Sequence, residues 1–212
     1  MSPNRRAITP ALKTESPELP AAARLPAERQ RVIAVDPKDA AARSAAPNPA
    51  DVERWLADLG LATGERVDRD GVTAWDLELD GRRRFGLPVT VILDPGLGII
   101  CWAHFAPPIG DALRKSYHKL LRWNDELPFV KFSIAEDGRP VLASELPIDR
   151  LDEDALGLAL ARMVAVSDQL LEESAGWLWI GGRMPAGYAD RESRNPQLLE
   201  RYRSELEELF GS

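Results

Sequence analysis

From Trp75 the chain alternates strictly, with Trp75, Leu77 and Leu79 apolar and Asp76, Glu78 and Asp80 acidic. A period of two sends the two sets to opposite faces, which predicts a half-buried β-strand. Asp80-Gly81 reads as a hairpin signal, with PVTVILD at 88–94 as the return strand. After the DPGLG turn, IICWAHF at 99–105 is almost unbroken in apolar character and predicts a strand covered on both faces. Further along, FVKFSIA and PVLASEL form a second hairpin through Glu136-Asp137-Gly138-Arg139.

Elsewhere the period changes from two to that of a helix. Asn48, Pro49 and Asp51 have the form of an N-cap, a first-turn proline and a first-turn acid. The helix that follows carries Val52, Trp55, Leu56 and Leu59 on one stripe and stops at Gly60. Pro107 and Pro108 end the third strand, and 111–125 reads as a helix with Leu113, Tyr117, Leu120 and Leu121 inward. A long helix starts near Asp152, with Glu153 and Asp154 matched to its dipole, and runs to about Glu173.

The order is α-βββ-α-ββ-α, without regular βαβ alternation. It predicts an α+β fold in which helices cover a mostly antiparallel five-stranded sheet. Before it, residues 1–47 hold seven prolines, twelve alanines and no aromatic residue, a composition that predicts a disordered tail. Within that tail RVIAV at 31–35 is a short apolar segment suited to a sheet edge or a groove. The domain is expected over 48–176, and a Trp-rich turn and C-terminal helix over 177–212. In that extension Leu198, Leu199, Tyr202, Leu206 and Leu209 share one side of an amphipathic helix from Asn195 to Phe210. The long helix is apolar nearly all round and needs cover on two sides. The extension is expected to supply it, in cis or across a dimer, with Trp177 and Trp179 beneath; the alternative is a hook for a partner.

Charge narrows the partner classes. The formal net charge is −7, divided as +3 over residues 1–47 and −10 over the rest. An acidic folded domain repels phosphate backbones, so no nucleic acid is expected on it. The longest apolar runs fall far short of the roughly 18 residues a membrane span needs, and MSPNRRAITPALK lacks the apolar core of a secretory signal. A cytoplasmic location is expected.

The stretch LLRWNDELPFVKFSIAEDGRPVLASELPID at 120–149, followed by LDEDALGLALARMVAVSDQLLEE at 151–173, resembles the YbjN family. The resembling features are a helix ending in Asn, a strand-Asp-Gly-strand hairpin finishing in Leu-Pro, and a long helix beginning with acids after a Leu. That family is similar in fold to type III secretion chaperones. The resemblance implies a non-catalytic, often dimeric domain, chaperone-like or regulatory, and supplies no catalytic residue.

Candidate chemistry is sparse. Cys101 is the sole cysteine, which rules out an internal disulfide and a thiolate metal cage, and its apolar neighbours predict a buried, inert thiol. His104 and His118 lie in no metal-ligand spacing, and no GxSxG, P-loop or GxGxxG is present. No cofactor is expected. Arg114, Lys115, His118, Lys119 and Arg122 give one helix a basic face on an acidic domain, and with Trp177 and Trp179 they are the candidate partner-binding residues. The sequence therefore predicts a non-catalytic module that binds another polypeptide and forms a homodimer. Its rivals are an enzyme with an unrecognised carboxylate and His104 site, and a structural subunit of a larger assembly.

Overall fold

The first helix begins where the sequence offers a cap. The Asn48 side chain accepts from the backbone N–H of Ala50 and Asp51, while the Asp51 carboxylate accepts from that of Asn48. In this computed structural model, residues 47–106, 108, 114–178 and 192–210 are described, with backbone alone at 114, 115, 172 and 175–178. The predicted tail, with RVIAV, lies outside the described residues apart from Pro47.

The described elements are α1 (Pro49–Asp58), β1 (Thr63–Arg69), β2 (Val72–Leu79), β3 (Leu87–Asp94) and β4 (Gly98–His104), then α2 (Arg114–Glu126), β5 (Lys131–Ile134) and β6 (Pro140–Pro147). A single 3-10 turn leads into α3 (Glu153–Leu178), and α4 (Pro196–Arg201) and α5 (Arg203–Phe210) close the described chain. The architecture is α+β, an open antiparallel sheet in the order β1-β2-β3-β4-β6-β5.

The sheet has six strands rather than five. The additional one, β1, is exposed along its whole length, so no apolar alternation marks it. Its signal is the turn that follows, Asp70-Gly71, where both residues have positive φ, 53° and 82°. That geometry belongs to the tight two-residue hairpin, and Asp-Gly tolerates it. Asp80-Gly81 does not make such a turn; it opens a loop of residues 80–86 that has other work.

Burial follows the predicted alternation. Trp75, Leu77, Leu79, Val89, Val91, Cys101 and Leu142 enter the core from the sheet, and Val52, Leu56, Leu156, Leu160 and Met163 meet them from α1 and α3. On α2 the buried stripe is Ser116, Leu120 and Trp123, continued by Leu127 just past its end. Leu121, expected inward, is 67% exposed, because it stands about 100° around the helix from Leu120. Trp123 packs against Phe105 and Phe132 instead.

The long helix finds cover within the chain. It contacts β4 and β6 on one side and α1, α4 and α5 on others. Gly157 allows the closest approach: a Cβ there would lie 2.2 Å from the Tyr202 hydroxyl and 2.8 Å from Leu59. No described helix is long and apolar enough to cross a membrane.

Candidate interaction surfaces

Register places every second residue of the sheet on the side away from the core. Val67 pairs with Ala74, Ala74 with Ile92, Ile92 with Ile100, and Ile100 with Glu145. The neighbouring row runs Asp76, Thr90, Trp102, Ala143 and Lys131. Val67 is 49% exposed, and Ala74, Ile92, Ile100, Trp102 and Ala143 are all half-buried. Strand β4, expected to be covered on both faces, is therefore buried at Gly98, Ile99, Cys101 and Ala103, while Ile100, Trp102 and His104 on its other face are only half-buried. Its apolar run serves two purposes, a core on one side and an open strip on the other.

The strip is framed by charge. Asp76 accepts a hydrogen bond from the Thr90 hydroxyl at 2.7 Å, and Glu145 is exposed at the end of the Val67 row. Trp102 packs edge-on against His104, with ring centroids 4.4 Å apart. Burial, with Arg139 nearby, holds the His104 imidazole below its ordinary range, and its Nδ1 is buried with no hydrogen-bond partner among the described residues. A neutral imidazole beside an indole makes this end of the strip less polar than its sequence suggests.

The predicted basic helix face is only partly assembled. His118 and Lys119 are exposed on α2. Arg122 is also exposed but donates to Glu126 one turn on, which spends part of its charge within the helix. Arg114 and Lys115 are placed in the first turn of α2 by backbone alone. Trp177 lies in the last turn of α3, again by backbone alone, and Trp179 lies outside the described residues.

The chain also contains two buried carboxylates that motif reading passed over. Asp80, fully buried, accepts from the Gly86 and Arg194 backbone N–H and from the Arg194 guanidinium at 2.8 Å. The Asn195 side chain accepts from the Asp80 N–H and donates to its carbonyl. Arg194 holds the Asp80 carboxyl well below the usual carboxylate range, and Asp80 with Glu78 raises the guanidinium in turn. Asp168 on α3 takes the other side of the same loop, accepting from the backbone N–H of Arg82, Arg83 and Arg84 at 2.6, 3.0 and 2.7 Å. A Cβ at Gly81 would stand 2.3 Å from Asp168, so the loop comes this close only without a side chain there. Asp168 is one of several acids along α3, so nothing local in the sequence singled it out.

Cys101 is fully buried and its thiol is pushed up to about 12, which leaves it protonated and unreactive. Among the described residues no group of three His, Cys, Asp or Glu side chains is placed to hold a metal ion.

Comparison with curated proteins gives no match. The YbjN family model, described as "Putative bacterial sensory transduction regulator", matches residues 48–175. That span takes in α1, all six strands, α2 and nearly all of α3, and leaves α4 and α5 outside. With more than half of its length and its whole sheet inside the match, the chain belongs to the YbjN family.

Proposed function

We infer that this protein is a non-catalytic regulatory module that works by holding another polypeptide on the open face of its sheet. The observation that carries the reading is the strip Val67, Ala74, Ile92, Ile100 and Trp102, apolar and only half-covered on a chain with 29% charged residues. Contiguous apolar surface of this kind marks docking sites, and Trp is the residue that most often anchors them. Asp76 and Glu145 at two margins and Lys131 at the end of the second row give the strip a mixed charged rim. The family description, a regulator, agrees with such a role. A chaperone-like hold on an extended client is the same physics applied to a different partner.

A second docking surface is the α2 face, favoured by the exposure of His118 and Lys119 on an acidic domain. Self-association belongs to the same question. Because α3 is covered by α1, α4, α5 and the sheet, a homodimer is not needed to bury it.

Affinity purification of the full chain from its own cells, read by mass spectrometry, tests the reading. One stoichiometric polypeptide is expected, retained by His118→Glu/Lys119→Glu and lost by Ile100→Ser/Trp102→Ser with the circular dichroism unchanged. Loss in the α2 variant alone transfers the site to that helix. No stoichiometric polypeptide at all overturns the module.

A further inference from the structure

One row of residues crossing the open sheet face is ordered by charge. Asp76 on β2, Thr90 on β3, Trp102 on β4, Ala143 on β6 and Lys131 on β5 are successive partners across the sheet. The acid stands at one end and the base at the other, both exposed, with half-buried Thr90, Trp102 and Ala143 between them. Trp102 is the middle member. At about 4.8 Å per strand, Asp76 and Lys131 lie roughly 10 Å from it on opposite sides.

Among the described residues neither end charge enters an ion pair. Asp76 accepts the Thr90 hydroxyl at 2.7 Å, which keeps its carboxylate within the row. A partner of one sign is repelled at one end of such a row, whereas the same row reversed is complementary at both. A two-fold axis lying along β4 performs that reversal. It keeps the strand direction, turns one sheet to face the other and exchanges the ends of every row. The interface is isologous, and it stacks the two sheets in the aligned manner of β-sandwiches. An axis laid across the strands would set acid on acid and base on base, so the charges select the first arrangement.

We propose that the open face docks a second copy of this chain about a two-fold axis along β4, with Asp76 opposite the partner's Lys131 at both ends of the row. Trp102 then meets the partner's Trp102 at the centre of the contact, where tryptophan contributes most. Ile100 meets the partner's Ile100 in the neighbouring row. Val67, three strands from the axis, has no strand opposite it. Glu145 is a mismatch, since reversal sets it against the partner's Ile92. The inference rests on the reading of the strip as a docking surface and names its occupant when no other polypeptide is bound.

Sedimentation equilibrium of the full chain, with charge variants alone and mixed, tests it. The wild type is expected to associate reversibly to a dimer, and the dimer to weaken as salt rises, a measurement independent of any variant. Asp76→Lys and Lys131→Asp, with circular dichroism unchanged, should each weaken association by about tenfold or more, because each makes both ends repulsive. An equimolar mixture of the two variants should recover a dimer about as tight as the wild type, since attraction returns at both ends in the mixed pair. Glu145→Leu should tighten the wild-type dimer. A wild type that stays monomeric from micromolar to millimolar concentration overturns the proposal. So does a dimer indifferent to salt and to both single changes, or a mixture that stays apart. If the wild type is monomeric while a co-purifying polypeptide is lost from Ile100→Ser/Trp102→Ser, the second copy is wrong and the docking reading stands. A dimer with these charge effects but no co-purifying polypeptide leaves the second copy in place and removes the other partner.

Discussion

Asp80 shows how one side chain can be misread from sequence and still matter. Placed next to Gly81 it reads as a turn residue, yet it is fully buried and bound by Gly86, Arg194 and Asn195. Asp80→Asn should lower stability by about 2 kcal/mol at pH 7, because a charge-assisted network loses its anion while Arg194 stays in place. The pH dependence follows from the depressed carboxyl. A folded pKa below the unfolded value of about 3.9 adds stability that is complete above that value and drains away as the pH falls below it. Urea midpoints of the wild type and Asp80→Asn should therefore differ most near neutrality and converge below about pH 4. A gap that stays constant down to pH 2 would show that the carboxylate's charge is not what stabilises.

Among the elements, α3 meets the junction of α4 and α5 at a glycine. In most helices Gly157→Ala would gain about 1 kcal/mol of helix propensity. Here the new methyl would overlap the Tyr202 ring and Leu59, so the substitution should lower the melting temperature. The same substitution in a Tyr202→Ala background should cost less, and a double-mutant cycle with no coupling between the two positions would remove this contact from the account. Asn48→Ala should cost about 1 kcal/mol through the lost cap, measured the same way. The cap at Asn48 and the alternation from Trp75 to Leu79 were legible because each rests on neighbours in sequence. Strand β1 was not, since its pairing to β2 is through backbone and its side chains are all exposed. Nor was the open strip, because alternation gives two faces but only the sheet order tells which face the helices take. Asp168 with the 82–84 loop joins groups more than 80 residues apart, a distance no local pattern reports.

For the whole molecule, the family match and the C-terminal helices divide the labour. The matched span ends at residue 175, and the surface of α3 left by it is met by Leu198, Leu199, Tyr202 and Leu206 from beyond the match. Removing residues 192–212 should expose that surface and also unpair Asp80. The truncated chain is expected to bind an apolar dye, to aggregate, and to melt well below the full chain. A soluble, equally stable product that loses only its partner would mean that the C-terminal helices are the docking element and the sheet face is not. Folding of this chain also has a clock built into it. Asp80 waits for Arg194, 114 residues later in the chain. At synthesis rates of about 5–20 residues per second, roughly 6–23 s pass before its counter-ion exists. During that interval the 80–86 loop has no Arg194 clasp, and α3, once made, stands without the cover of α4 and α5 until residues 196–210 follow it.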